Sequence, residues 1–234
     1  MEVVSIESID LSARCKGNPC SVCVVHIKIK DLDSRAGEML AAIQDTSWIL
    51  PLDVVGQISF KARSQRTIEK LVRLIQERSE SNVTAEFGEY LVSDSAQSVL
   101  SLHLSHKKVP LAELLKEKVS GNPGFDFHTE SVAEFIAFGE AKYSGSANPY
   151  TNALEQIGDF IGLEKDSAEL VMLQNFVSVN AVKNYVAGHK SYVAAFSINS
   201  ESPGKILSNA VSHALVDPLL DHKELYIVGV EIDA

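Results

Sequence analysis

Two short strand-like runs, residues 124–128 and 138–143, contain charged side chains between apolar ones, and they constrain this chain more than any other feature. The first run contains Asp126, and the second contains Glu140 and Lys142. Because Glu140 and Lys142 are two residues apart, a strand directs both side chains to the same face. If the two runs pair as a hairpin, Asp126 and Glu140 converge on one cation, with Lys142 beside it.

The flanking sequence favours this hairpin. Turn-forming residues fill 120–124 before the first run and 144–149 after the second. Asn148 is expected to cap a helix that has Pro149 at its first position and runs to about residue 161. The expected order is therefore loop, strand, turn, strand and capped helix. Buried charges cost free energy unless they are paired or bound to a metal. Two carboxylates and a lysine in this arrangement meet the needs of metal-dependent phosphodiester hydrolysis.

Length and composition predict an ordinary globular protein. The 234 residues, 45% of them hydrophobic, are enough for one large domain or two small ones. The first residues have no basic start followed by an apolar run, so no signal peptide is expected. No window approaches the length of a membrane span, and three cysteines do not suggest a disulfide framework. We expect a soluble, cytoplasmic protein with no membrane partner.

The net charge of −10 is distributed unevenly along the chain. Residues 1–120 contain 15 Lys and Arg against 16 Asp and Glu, whereas residues 121–234 contain 6 against 15. An acidic catalytic half is unfavourable for an enzyme that approaches a polyanion. Bound divalent cations, a basic partner or a basic helix elsewhere in the chain would offset part of this charge.

Periodicity predicts an α/β fold with two units, an N-terminal α/β unit over residues 1–80 and a second unit over residues 81–234. Apolar patterns predict strands at residues 20–30, 191–198 and 225–232 in addition to the hairpin. Helical patterns cover residues 37–49, 59–80, 83–102, 110–118, 149–161, 166–186 and 203–215. Asp166 is a plausible cap of the helix that starts there.

The sequence Asp126…Glu140-Ala141-Lys142 resembles the signature of PD-(D/E)xK nucleases. The resemblance implies a restriction-endonuclease-like fold, in which helices flank a mixed central sheet. It also implies that the two acids bind Mg²⁺, for which Mn²⁺ can substitute, and that the lysine orients the attacking water. Phe125 stands where the family usually has proline.

A closer resemblance extends over residues 88–91, 115–128 and 139–143, which are similar to the nuclease subunits of Hachiman anti-phage defence systems. This similarity covers roughly residues 83–232. It implies a DNase effector that works with a superfamily 2 helicase subunit.

Further candidates lie on the helices that flank the hairpin. Glu89 is a possible third metal ligand, and Glu86 shares its helix face three residues away. The resemblance to PD-(D/E)xK nucleases implies that Gln156 holds the lysine or the DNA backbone, although Phe160 stands where a tyrosine would strengthen the resemblance. The alternative for Glu89 is a solvated helix face, and the alternative for Gln156 is an exposed helix amide. His128 and Tyr143 flank the site and can contact phosphate, but a structural role is the favoured interpretation for both.

A basic ridge recurs at helical spacing in the helix over residues 59–80, and its members are Arg63, Arg66, Lys70 and Arg73. Such a ridge can follow a DNA backbone or bind an acidic surface, although a solvated helix face is the commoner explanation.

The spacing of Cys15, Cys20, Cys23 and His26 loosely resembles that of a zinc site. However, Cys23 and His26 are three apart on a predicted strand, so they point to opposite faces. Buried core thiols are therefore the favoured interpretation.

These patterns predict a metal-dependent DNase with Asp126, Glu140 and Lys142 as its catalytic residues. The alternative is a regulatory or scaffold subunit that keeps a nuclease fold and binds a helicase or DNA without cutting. RNA is a third possibility as substrate. The sequence has no Gly-x-Ser-x-Gly elbow and no phosphate-binding loop of the Gly-x-x-x-x-Gly-Lys type, so neither triad chemistry nor ATP hydrolysis is expected.

Overall fold

The computed structural model describes residues 1–17, 19–76, 83–115 and 124–233. The strands are β1 Glu2–Ile9, β2 Ser21–Ile29, β3 Lys107–Lys108, β4 Phe127–Glu130, β5 Ile136–Lys142, β6 Ser191–Ile198 and β7 Glu224–Ile232. The α-helices are α1 Leu32–Gln44, α2 Val54–Gln76, α3 Ala85–Leu104, α4 Ala112–Leu115, α5 Tyr150–Gly162, α6 Lys165–Leu173, α7 Val179–Val186 and α8 Pro203–Ser212. Short 3-10 helices cover Ser12–Arg14, Ser47–Ile49 and Ala214–Asp221.

All of these strands form one mixed sheet in the order β1-β2-β7-β6-β5-β4-β3. The four central strands β2, β7, β6 and β5 are parallel, and antiparallel strands pair at both edges. Every residue of β6 is buried, as expected for a parallel strand that is covered by helices on both faces. The fold is therefore α/β, with one mixed sheet and helices on both of its faces.

The sheet crosses the domain boundary that the sequence predicted at residue 80. Strand β2 pairs with β7 from Ser21↔Glu224 to Ile29↔Ile232. The strands of residues 1–80 therefore share one sheet with the C-terminal half, so the two predicted units are joined through that sheet. The predicted junction at residues 80–82 itself lies outside the described residues.

Helices cover both faces of the sheet, and a hydrophobic core lies on each face, between the sheet and its helices. On one face, α3 packs against β4, β5 and β6, with α1 and α2 alongside. On the other face, α5 packs against β5 and β6, and α8 packs against β7. Strand β5 is therefore held between α3 and α5. Among the residues that the structure describes, no helix combines the length and apolar character required to cross a bilayer.

Several predicted element ends are shifted because of local capping. Helix α1 begins at Leu32 rather than residue 37, since the Asp31 side chain accepts a hydrogen bond from the Ser34 N–H at 2.8 Å. The helix after the hairpin has Pro149 as its N-cap, whereas the Asn148 side chain accepts from the Asn199 N–H. The capping role predicted for Asn148 is therefore wrong.

The helix predicted over residues 166–186 is two helices, α6 and α7. The Ser178 side chain caps α7 by accepting a hydrogen bond from the Ala181 N–H at 3.0 Å. Glu164, not Asp166, is the N-cap of α6. Asp166 is instead buried and accepts hydrogen bonds from Lys190 and Tyr192. Of the helix predicted over residues 110–118, the structure describes α4, and residues 116–118 lie outside the described part.

Candidate functional site

The hairpin of β4 and β5 brings the aspartate and the Glu-x-Lys sequence together. The Asp126 N–H donates to the Gly139 carbonyl at 2.9 Å, just before the register Phe127↔Gly139 begins. The Asp126 carboxylate accepts a hydrogen bond from the Ala141 N–H at 2.9 Å. Because Ala141 lies between Glu140 and Lys142, this hydrogen bond fixes the aspartate beside both of them.

Gly139 permits the close approach of the two strands at this point. A Cβ atom at Gly139 would lie 2.3–2.6 Å from ring carbons of Phe127, which is fully buried. Substitution by any larger residue would push the Phe127 ring, and with it the start of β4, away from β5.

We expect Gly139→Ala to destabilise the fold by about 1–3 kcal/mol, because the added methyl group overpacks the hairpin. Thermal unfolding followed by circular dichroism would show the Tm falling by roughly 2–4 °C per kcal/mol. Gly158→Ala is the matched control, since nothing lies within 4 Å of a Cβ placed there in α5. A Gly139→Ala protein as stable as the wild type would contradict this account of the hairpin.

Glu140 and Lys142 form an ion pair at the end of β5. The Lys142 ammonium donates to Glu140 Oε1 at 2.8 Å. The Glu140 side chain is 1% exposed and that of Lys142 is 20% exposed, so the lysine reaches solvent and the glutamate does not. Within the described part of the chain, the buried Glu140 Oε2 has no hydrogen-bond partner.

Burial and neighbouring charges shift the pKa values of both members of the pair. Burial and the neighbouring Asp126 carboxylate raise the pKa of Glu140 well above its usual range, and the attraction of Lys142 opposes them only in part. For Lys142, burial acts to lower the pKa, but the nearby carboxylates of Glu140, Asp126 and Glu89 outweigh it and raise the pKa. Lys142 therefore remains cationic beside two crowded carboxyl groups.

The carboxylates of Asp126 and Glu140 supply oxygen ligands of the kind that divalent cations such as Mg²⁺ require. Ionised carboxylates are hydrogen-bond acceptors only, so Asp126 and Glu140 cannot satisfy each other. Either a shared proton or a cation would relieve the repulsion and satisfy Glu140 Oε2. Among the described residues, no group of three or more His, Cys, Asp or Glu side chains is arranged to hold a metal. Mg²⁺ is nevertheless commonly bound by one or two carboxylates together with waters, so the pair fits this ion.

Glu89 lies on the α3 side of the pair. Its carboxylate is 3.9 Å from the Lys142 ammonium. It also lines a cavity of about 70 Å³ together with Asp126 and the α2 residue Lys70. Glu86 lines the same cavity and pairs with Lys70 at 2.5 Å. The structure therefore brings Glu89 and Lys70 to the hairpin site from two different helices.

Gln156 lies on the α5 side. It lines a second cavity, of about 330 Å³, together with Lys142 and the polar residues Asn152, Glu155 and Asp159. Lys142 thus lines the cavity on the α5 side, and its ammonium lies 3.9 Å from Glu89, which lines the cavity on the α3 side. This position is compatible with the predicted contact of Gln156 with the lysine or with a bound backbone.

His128 is placed differently from its prediction. Its ring is completely buried, and Nε2 lies 2.6 Å from the Glu169 carboxylate of α6. A buried ring cannot reach a phosphate in solvent, so the predicted DNA contact of His128 is wrong in this structure. Tyr143 packs against α3, where a Cβ at Gly88 would lie 2.2 Å from its ring. This contact favours the structural role of Tyr143.

The basic ridge of α2 is partly exposed and partly directed into the site. Arg63, Arg66 and Arg73 are exposed, and Lys70 lines the cavity with Asp126. The cysteines are distributed differently from a zinc site, because Cys20 and Cys23 pack in the two separate cores. Burial raises the pKa of Cys20 to about 12 and that of Cys23 to about 11, which disfavours the thiolates that bind zinc.

Sequence reasoning missed Glu113, which lines the cavity together with Asp126 and Glu89. Glu113 belongs to no motif, and the pattern around it predicted only a short helix. Its placement depends on a contact between distant backbone atoms, in which the Ala112 N–H donates to the Asp126 carbonyl at 3.2 Å.

Together these residues define the class of site as a carboxylate pair, with Glu140 buried and Asp126 partly exposed, beside a lysine at the end of a sheet hairpin. Comparison with known proteins adds no family to this description, since no family model matches the chain and no curated protein matches it.

Proposed function

We propose that this protein is a divalent-metal-dependent nuclease of the PD-(D/E)xK kind that cleaves DNA phosphodiester bonds, and that its mixed sheet is of the restriction-endonuclease-like type. The observation that supports the proposal most is the packing of the Asp126 and Glu140 carboxyl groups beside the Lys142 ammonium. Such a group of charges is costly to bury for structural reasons alone, because Glu140 has one oxygen without a partner within the described residues.

Each side chain has a distinct role in this proposal. Asp126 and Glu140 hold Mg²⁺, or Mn²⁺ in its place, and the bound ion supplies Lewis-acid stabilisation and a more acidic water. Lys142 orients the attacking water and stabilises the negative charge that develops on the phosphate. Glu89, on the α3 side, is an additional acid at the cation site. Gln156 contacts Lys142 or the DNA backbone from the α5 side.

The basic ridge of α2 supports an approach of DNA from the side of α2. Lys70 lines the cavity that Asp126 and Glu89 also line, and Arg66 and Arg73 are four and three residues from Lys70 on the same helix. Residues that follow each other at this spacing share a helix face. The ridge therefore offers positive charge next to a site that is otherwise acidic.

We expect that the double substitution Arg66→Ala and Arg73→Ala weakens binding to duplex DNA without changing sequence preference, because phosphate contacts are not specific to sequence. If each arginine contacts one phosphate, the slope of log K against log salt falls by about 0.9 per arginine. Fluorescence anisotropy on a 30-base-pair duplex, in a Lys142→Ala background that prevents cleavage, would measure both quantities.

Lys61→Ala is the control for this measurement. Lys61 is exposed on the same helix but lines a different cavity, with Ile58 and Ile68. If Lys61→Ala weakened binding as much as the double substitution, the effect would be due to net charge and the ridge would not be the DNA-binding surface.

The resemblance to Hachiman nuclease subunits supports a DNase effector that works with a superfamily 2 helicase. One observation favours an alternative, a non-catalytic subunit that binds a helicase or DNA, because residues 121–234 contain 15 acidic and only 6 basic residues. A partner with a basic surface would offset this charge in either case.

A plasmid-degradation assay separates these functions. The proposal predicts cleavage with Mg²⁺ or Mn²⁺ and none with EDTA, for the chain alone or with its candidate helicase. An RNA of matched length tests the substrate class. Absence of DNA cleavage in every arm, with the helicase present and Mg²⁺ bound, would favour the scaffold subunit.

A further inference from the structure

A buried tyrosine borders the cavity next to Asp126 in addition to the acids there. Tyr90, on α3, is 4% exposed and lines both this cavity and a neighbouring one that Asp94 and Gln97 also line. Its hydroxyl oxygen is buried and has no hydrogen-bond partner in the part of the chain that the structure describes. Burying a hydroxyl without a partner costs about 1–3 kcal/mol, so its retention in the wall of a cavity indicates a polar guest.

Glu113 lies in the same cavity and is held there firmly. At the start of α4, the Ala112 N–H donates a hydrogen bond to the Asp126 carbonyl. Leu114 and Leu115, which follow Glu113 in this helix, are each buried in one of the two cores.

Both Glu113 and Tyr90 line this cavity. Burial and the charges of Asp94 and Glu113 raise the pKa of Tyr90, and the charge of Arg35 opposes them. The two side chains therefore border one small space beside Asp126.

The size of that space limits what it can hold. A volume of about 70 Å³ accommodates a few water molecules but not a nucleotide. Mg²⁺ bound through two carboxylates keeps several of its waters, which need acceptors and donors around them. An anionic acceptor and a hydroxyl group on the α3–α4 wall are suited to bind such waters.

We propose that Glu113 and Tyr90 belong to the cation site and bind the water ligands of the ion that Asp126 and Glu140 hold. This inference rests on the proposed function, because it requires a divalent cation at that carboxylate pair. Glu113 and Tyr90 act through water and are positioning residues. They are distinct from Glu89, which lies 3.9 Å from the Lys142 ammonium.

Isothermal titration of Mn²⁺ into the full chain tests this assignment. Loss of groups that orient metal ligands typically lowers metal affinity by about 10–100-fold, and this range is expected for Glu113→Gln. Tyr90→Phe is expected to weaken Mn²⁺ binding by a smaller factor. In the metal-free protein, Tyr90→Phe should leave the Tm unchanged or raised, because it removes a buried hydroxyl that has no partner. A purely structural hydroxyl would give a lower Tm instead.

Glu69→Gln is the control for net charge, since Glu69 is exposed on α2 and hydrogen-bonds to Gln65. It should bind Mn²⁺ like the wild type. Wild-type affinity in Glu113→Gln would overturn the inference and leave the nuclease proposal standing. Strong Mn²⁺ binding by the wild type without DNA cleavage would instead contradict the proposed function, while weakened binding in Glu113→Gln would still support this assignment.

Discussion

Lys142→Ala is expected to lower DNA cleavage by at least about 100-fold, the usual loss when one charge-stabilising donor is removed from an active site. The ammonium lies 2.8 Å from Glu140, and Lys142 lines the cavity on the α5 side. No other lysine or arginine of the described hairpin is available to replace it. Metal binding should persist, because the carboxyl groups that hold the cation remain.

Single-turnover cleavage of a labelled duplex and Mn²⁺ calorimetry on the same preparation test both halves of this prediction. Lys183→Ala is the matched control, since it removes a lysine that is exposed on α7 and lies outside the hairpin. Cleavage at the wild-type rate by Lys142→Ala would exclude the mechanism. Loss of Mn²⁺ binding would show that Lys142 supports the structure of the site rather than its chemistry.

The core of the site was predictable from sequence because its geometry is local. Asp126, Glu140 and Lys142 lie within one hairpin, and the period of a strand places Glu140 and Lys142 on one face. The positions of Glu89, Lys70 and Glu113 next to Asp126 were less predictable. These residues come from three helices whose packing on the sheet depends on contacts between distant parts of the chain.

The same distinction applies to the fold. The buried strands over residues 191–198 and 225–232 were correctly predicted from their continuous apolar runs. Strand β1 was missed, because it lies at the edge of the sheet and a register shift between Val3 and Ser5 interrupts its alternation. The pairing of β2 with β7 joins segments about 200 residues apart. No local pattern indicates such a partner, so the sequence did not predict that residues 1–80 share a sheet with the C-terminal half.

The carboxylate pair leads to a second strong prediction, on stability. The pKa of Glu140 is raised in the folded protein, so below its usual value of 4.5 the side chain is protonated in both the folded and unfolded states and costs nothing. As the pH rises above that value, the unfolded chain releases the proton while the folded protein retains it. The metal-free wild type should therefore lose stability progressively between pH 4.5 and the raised pKa.

Glu140→Gln does not titrate and should escape this loss. The substitution also removes the attraction between Glu140 and Lys142. Burial and the Asp126 charge already outweigh that attraction in setting the pKa of Glu140, so the substitution should raise the stability of the folded protein. Without metal, the Tm of Glu140→Gln should equal that of the wild type near pH 4 and exceed it at pH 8. A gain of about 2–4 °C corresponds to about 1 kcal/mol for a chain of this size.

Addition of Mg²⁺ should reverse the order of the two proteins. A ligand that binds only the folded state raises its stability, so the wild type gains from the cation. Glu140→Gln lacks one of the two carboxylates and should gain little, and its DNA cleavage should be lost. Differential scanning fluorimetry from pH 4 to pH 8, with Mg²⁺ or EDTA, measures this reversal. Equal Tm values at every pH and with either addition would contradict both the raised pKa of Glu140 and its role in holding the cation, because the two depend on the same crowding of negative charge.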